Sequence, residues 1–307
     1  MKSETAGDPM SGLKWTRKTT AKIAEALNRH GIQVGRNTVG RLLRQMGFRL
    51  RVNHKKRSTA SPENRDRQFR IIRRRRNAFA RSADPILSVD CKKRELVGNF
   101  KNAGSAWTQT ATETLATDFR SDASGVAVPY GLYDTEENRG LIVIGTCRET
   151  PTFAVDCVRS WWLMEGRHRY PESQRLLILA DGGGGNGSTC HAWRAQLQKK
   201  ICDEFGLTVT VSHYPPGTSK WNPVEHRLFS RVSANWQGEP LESYEKALKF
   251  VRTTTTASGL KVRAVLNTRD YPKGVKIAPE ELEQLSVRKH RILPKWNYTI
   301  TPRSMSK

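Results

Sequence analysis

Cysteine is scarce and unpatterned in this chain. The five residues, at 91, 147, 157, 190 and 202, contain no CxxC pair, which disfavours a disulfide framework and a structural zinc site and fits a reducing cytoplasm. Long apolar runs are missing too. No stretch approaches the ~20 apolar residues of a membrane-spanning helix, and mean hydropathy is −0.64. The start, MKSETAGDPMSG, lacks the apolar core of a signal peptide. A cytoplasmic protein with no membrane contact is expected. Acidic residues are the third shortage. Against 53 Lys and Arg stand 29 Asp and Glu, a formal charge of +24 over 307 residues. Such an imbalance points to a polyanionic partner, with nucleic acid ahead of a membrane surface.

The excess is concentrated at one end. Residues 1–82 hold 22 Lys and Arg against 5 Asp and Glu, and the remainder holds 31 against 24. Within this basic segment, 1–50 reads as a helix-turn-helix region. Ile23, Ala24 and Leu27 form one apolar helix face, and Gly31 stops that helix. A second helix is expected from Arg36 to about Met46, with Val39, Leu42, Leu43 and Met46 as its buried stripe. Arg36, Asn37, Thr38, Arg41 and Arg44 are its outward donors, suited to a DNA major groove; the competing reading is an ordinary helical hairpin with a solvated basic face. Residues 51–82 read as a basic linker, with HKKR at 54–57 and a helix over Asn64–Ala80. Its four arginines, Arg73, Arg74, Arg75 and Arg76, cannot all face one protein surface. They are candidate phosphate contacts, against the alternative of a solvated linker helix.

Residues 83–240 alternate strands and helices. ILSVD at 86–90 is a strand ending in a carboxylate, and ELVGNF at 95–100 is expected to pair with it as a hairpin. GLIVIGT at 140–146 is a third strand, followed by a helix over 152–165. LLILAD at 176–181 is apolar on both faces and therefore central. A helix over 190–205, a strand over 207–214 and a helix over 223–236 complete the domain, the last with Asn222 as N-cap and Pro223 at N1. The order β-β-β-α-β-α-β-α predicts an α/β fold: a ribonuclease H-like mixed sheet with flanking helices, preceded by the small all-α region. Residues 241–307 read as a C-terminal helix and a basic tail, with 291–300 as a closing strand.

Three carboxylates fall at matching places. Asp90 ends the first strand, Asp181 ends the central strand, and Glu225 lies one turn into the helix that begins NPVEH. In a ribonuclease H-like sheet the first and fourth strands are neighbours, so Asp90 and Asp181 meet and the helix brings Glu225 over them. Carboxylates gathered this way repel one another until hard divalent cations bind, and oxygen ligands suit Mg²⁺, with Mn²⁺ as a substitute. Two such ions about 3.5–4 Å apart stabilise the attacking and leaving oxygens of phosphoryl transfer. Singly, each residue has a plainer reading: an Asp at a strand end is usually a turn former, and a Glu in a first helical turn complements the dipole. The run GGGGNG after Asp181 lacks the spacing of a phosphate loop and reads as backbone free to approach the metal site or DNA.

Other residues carry two readings. His213 and His226 are metal ligands or, with hard metals expected, packing or DNA-contact residues. Lys220 and Trp221 are base or phosphate contacts, Trp221 alternatively a core anchor. Asn186 is a weaker candidate for orienting substrate. Cys91 points away from Asp90 on an extended strand and reads as core, as do Trp161, Trp162, Trp193 and Trp236.

The blocks SVDCKKRELVGNFKN, VPYGLYDTEENRGLIVIGT, LLILADGGGGNG and HYPPGTSKWNPVEHRLFS resemble the DDE transposases of bacterial insertion sequences, specifically the ISAzo-type branch related to mariner-like transposases. The resemblance runs from about Leu13 to Thr301. It implies that Asp90, Asp181 and Glu225 are the catalytic, metal-binding triad, and that the reaction is Mg²⁺-dependent cleavage and joining of double-stranded DNA at transposon ends. A homo-oligomer is implied in the synaptic complex. Asp181 and Glu225 are 44 residues apart, longer than the mariner-like spacing. Relatives carry more chain before the helix pair, which implies a shortened copy. Two rival readings stand beside this one: a catalytically silent, transposase-derived DNA-binding protein, and a stand-alone nuclease acting on RNA–DNA hybrids. A mobile element predicts inverted repeats just outside the reading frame, which sequencing of the flanking DNA checks; their absence counts for the rivals.

Overall fold

The computed structural model describes residues 6–7, 14–15, 18–50 and 61–303; the HKKR run at 54–57 lies outside them. The chain divides into two compact units, Met1–Arg57 and Ser58–Lys307.

In the first unit a two-residue antiparallel ladder, β1 (Ala6–Gly7) and β2 (Lys14–Trp15), precedes α1 (Thr20–Arg29) and α2 (Arg36–Gln45). Thr19 caps α1 by accepting from Lys22 N–H, and Gly31 ends it at φ +81°. The connection is pinned where Val34 N–H donates to Asn28 Oδ1 at 2.8 Å. Ile23, Ala24 and Val39 form the small core, with Leu27, Val34 and Leu43 against it. The expected stripe on α2 is only half covered. Leu42 and Met46 are 41% and 71% exposed, because one partner helix covers the Val39–Leu43 line and leaves the adjoining line open within this unit.

The second unit begins with α3 (Pro62–Arg81), capped by Ser61. Strands β3 (Ile86–Cys91), β4 (Glu95–Val97), β5 (Gly125–Asp134) and β6 (Arg139–Gly145) follow. Next come α4 (Pro151–Trp161), a π-helical turn at Trp162–Gly166, α5 (Arg167–Arg169), β7 (Arg175–Ala180) and α6 (His191–Leu197), whose helix continues as a π-turn over Gln198–Asp203. After β8 (Thr208–His213), the helix carrying Glu225 opens with a π-turn, Val224–Phe229, and continues as α7 (Ser230–Trp236). The chain closes with α8 (Tyr244–Arg252), β9 (Lys261–Asn267), α9 (Pro279–Glu283), β10 (Val287–Lys289) and β11 (Asn297–Ile300).

The strands form one sheet in the order β10-β11-β8-β7-β3-β5-β6-β9, with β4 on β5. The central five, β6-β5-β3-β7-β8, are three antiparallel strands continued by two parallel ones. That is the ribonuclease H-like arrangement the element order predicted. One face packs Leu87, Val89, Leu176, Ile178 and Ala180 against Phe153, Trp161 and Trp193 of α4 and α6. The other packs Ile142 and Ile144 against Val224, Leu228 and Phe229, and Ile86, Leu177 and Leu179 against Ile72 and Phe79 of α3.

Four sequence expectations are corrected. The hairpin of 86–90 with 95–100 does not form: β3 is flanked by β5 and β7, and β4 pairs with β5 instead. Strand β5 lies within 101–139, a polar stretch rich in Gly, Ser and Thr for which no strand is expected; its burial outweighs the local bias of Gly125, Pro129 and Gly131 against a strand. The helix in 51–82 is packed into the second unit rather than serving as a linker. Gln68 donates to His213 O at 2.9 Å, and the Gln68 and Asn297 amides bond each other. The stretch after the C-terminal helix is not a tail: the closing strand expected in 291–300 forms as β11, and β9 and β10 join the sheet as well.

Gly131 sits opposite Asp90 in the β3–β5 ladder. A Cβ there would collide with the Phe229 ring and come within 2.9 Å of Val224 Cγ2, so a bare backbone lets the Glu225 helix lie on the sheet. Gly131→Ala is expected to destabilise the protein by about 1–3 kcal/mol through overpacking, read as a lower midpoint in urea; an unchanged midpoint would show that the helix yields freely.

Candidate active site

Strand register sets the site. In the parallel β3–β7 ladder Val89 is level with Ala180, so the next residues, Asp90 and Asp181, leave adjacent strand ends side by side. Side chains alternate along a strand. Ile86, Ser88 and Asp90 therefore share the face of Leu177, Leu179 and Asp181, the face on which the Glu225 helix packs.

Ser88 mounts that helix. Its hydroxyl donates to Asn222 Oδ1 at 2.5 Å and accepts from Val224 N–H at 3.0 Å, while Asn222 Nδ2 donates to Val89 O at 3.1 Å. The side chain expected to cap the helix is thus spent on β3, and Ser88 supplies the cap from the strand. Glu225 follows directly, in a π-turn of the kind that recurs at functional sites.

The three carboxylates interact. Asp90 is 7% exposed. Burial first, then the charge of Asp181, push its carboxyl up to about 9; the Cys91 N–H opposes them, and the charge and hydrogen bond of Glu225 add to the rise. Asp181 is raised as well, by burial and then by Glu149 and Glu225, with the Gly183 N–H acting the other way. Among the described residues, no group of three or more His, Cys, Asp and Glu side chains already stands as a metal-holding cluster. The donor set itself fits a hard cation: oxygens only, each repelled by the others, with Asp90 keeping a proton where a cation would otherwise sit.

Two supports escaped the sequence reading. Glu149, just before Thr150 that caps α4, accepts from Gly185 N–H at 2.8 Å. The GGGGNG run is consequently not free backbone: Gly184 has φ +64° beside Glu149, and a Cβ on Gly185 would reach 2.9 Å from Thr150 O. The second support is His213. Its Nδ1 lies 2.8 Å from the Asp181 carbonyl, which can only accept, so Nδ1 carries the proton and Nε2 accepts from Tyr298 hydroxyl at 3.1 Å. Trp193 Nε1–H completes the chain on that hydroxyl at 3.0 Å. Burial lowers the His213 imidazole to about 4. His213 is a neutral brace for the Asp181 backbone. An Asp-bearing strand beside a His-bearing one was the available signal, but which atom the ring meets depends on the ladder.

The remaining candidates are dispersed. Arg36, Asn37, Arg41 and Arg44 are exposed on α2 and Thr38 is half-buried. Arg73 and Arg74 are exposed and Arg76 half-buried. Arg75 departs from the expectation: it donates to Ser212 Oγ at 2.5 Å and Asn297 Oδ1 at 2.6 Å, and burial lowers it to about 10. Its position on the α3 face that meets β8 and β11 spends the guanidinium on protein. His226 is exposed, Trp221 is exposed, and Asn186 is buried with neither end of its amide hydrogen-bonded among the described residues. Cys91, Trp161, Trp162, Trp193 and Trp236 lie in or against the core.

A family model described as the Rhodopirellula transposase DDE domain matches residues 1–302, and the chain belongs to that family. No curated protein matches it. Among solved structures it is similar to the Mos1 transposase paired-end complex with left transposon end (16% identity, 76% of this chain and 65% of that one, TM-score 0.44). It is also similar to the Mos1 Strand Transfer Complex (16%, 76% and 64%, 0.46) and to the mariner Mos1 paired end complex with Mn (16%, 76% and 65%, 0.43). The chain thus spans just under two thirds of the length of those transposases.

The raised Asp90 carboxyl has a stability consequence. Its ordinary value is 3.8, so from about pH 4 upward the unfolded chain gives up a proton that the folded one keeps, and stability falls until about pH 9. Asp90→Asn removes this penalty. In EDTA the variant is expected to melt above the wild type, with a gap that widens from pH 4 to pH 9; equal melting across that window would rule out the burial and repulsion described.

Proposed function

We propose that the protein is a DNA transposase that cleaves and joins strands at insertion-sequence ends, with Asp90, Asp181 and Glu225 as catalytic and metal-binding residues. The observation that carries this reading is the interacting carboxylate set at the β3 and β7 strand ends. Asp90 and Asp181 would hold the cations from the sheet and Glu225 from the helix. Mg²⁺ or Mn²⁺ bound there supplies positive charge to the phosphoryl oxygens as one bond forms and the other breaks. Ser88 and Asn222 keep Glu225 at a fixed height above the strands, and His213 fixes the turn that carries Asp181. Such rigidity matters because the stabilising charges must be in place before the phosphate reacts.

Binding is assigned to the basic residues. Arg36, Asn37, Thr38, Arg41 and Arg44 of the helix pair suit double-stranded DNA, and Arg73, Arg74 and Arg76 suit phosphates. Each neutralised phosphate contributes about −0.9 to the log–log dependence of affinity on salt. Pairing of two transposon ends calls for a homo-oligomer during reaction. No helix among the described residues is long and apolar enough to cross a membrane, and the cytoplasm is the proposed place of action.

Asp90→Asn and Asp181→Asn should each abolish Mg²⁺-dependent cleavage of duplexes cut from the DNA flanking the gene, losing at least about a hundredfold in rate, with duplex affinity retained. Wild-type protein that binds those ends but cuts in neither Mg²⁺ nor Mn²⁺ would instead establish the silent DNA-binding reading.

A further inference from the structure

On the α3 side of the sheet, the face that also carries Asp90 and Asp181, runs a groove of about 530 Å³ whose walls include Phe69, Arg70, Arg73, Arg76, Tyr214 and Trp221. Two of its wall residues are tied to the site through the chain. Tyr214 N–H donates to the carbonyl of Ala180, the residue before Asp181, at 2.8 Å. Trp221 precedes Glu225 by four residues in the chain.

Three observations define what the groove would take. Trp221 leaves a large indole 58% exposed, yet Phe69 meets it edge-on at 6.3 Å and in turn contacts Tyr214 at 6.2 Å. The ring is thus a supported flat surface, the kind on which a nucleobase stacks. Next, among the described residues Arg70, Arg73 and Arg76 form no salt bridge, and Glu136 is the one carboxylate on the groove wall. Last, Arg76 Nε is buried without a hydrogen-bond partner, an unsatisfied donor that an anionic oxygen would complete. Lys220 Nζ lies over the indole ring, 5.6 Å from its centroid, so a base stacking on that face would take the place of this cation–π contact. Bases inside a duplex have both faces covered by neighbours, so a single exposed indole selects an unpaired base.

We infer that this groove is a subsite for an unpaired nucleotide of the DNA strand at the carboxylate site, its base stacked on Trp221 and its phosphate held by Arg73 and Arg76. The inference rests on that site acting on DNA, and it adds a preference for strand ends whose bases are already free.

The test uses the full chain in the Asp90→Asn background and in EDTA, so that no cleavage intervenes. Two probes are compared: a short oligothymidylate containing one 2-aminopurine, and a blunt duplex. Stacking should quench the 2-aminopurine on binding. Trp221→Ala should lose the quench and weaken single-strand binding roughly tenfold to a hundredfold, the value of one base stack on an aromatic ring, while duplex affinity stays as it was. Trp221→Phe should keep most of both signals, and Arg73→Ala with Arg76→Ala should weaken single-strand binding while flattening its salt dependence. Full quench and affinity in Trp221→Ala, or an equal loss for both DNAs, would overturn the subsite. Failure of the wild type to cut in Mg²⁺ with Trp221-dependent binding intact would strike the transposase reading and leave the groove standing.

Discussion

Everything at the site follows from one parallel strand pairing. When β3 and β7 lie in register, Asp90 and Asp181 leave the sheet at neighbouring positions, and neither can move far without breaking the ladder. The pairing is costly in isolation, because burial and mutual repulsion both favour the protonated acid. The surrounding structure is arranged to hold it. Ser88 and Asn222 fasten the Glu225 helix to β3, His213 braces the carbonyl of Asp181, and Glu149 ties down the glycine run that follows. A bound cation would turn the repulsion into attraction, so the strain has a chemical use in the proposed reaction.

The charge of the chain is divided along the same lines. Most of the +24 lies in the first 82 residues, while acidic oxygens gather at the sheet's centre. Neighbouring arginines on α3 meet different fates because a helix turns by about 100° per residue. Arg75 faces β8 and β11 and is consumed by Ser212 and Asn297, whereas Arg73 and Arg76 line the open groove. A run of four identical residues thus divides between structure and surface.

Much of this was legible in the sequence. Apolar runs ending in Asp marked β3 and β7, Gly31 and Pro223 marked helix ends, and the three carboxylates were readable from their places on those elements. What stayed hidden depended on contacts between distant segments. Strand β5 carries Gly125, Pro129 and Gly131, local signals that burial overrides, and β9 and β10 join the sheet only because neighbouring strands offer free edges. Ser88, Glu149 and Tyr298 carried no signal, since a hydroxyl or carboxylate gains a role only from what the fold sets opposite it. The sequence by itself determined the elements and their chemistry, because periodicity and residue type act locally. Only the tertiary structure decided register, which atoms brace the carboxylates and which arginines remain free, because those depend on pairings between residues up to 229 positions apart.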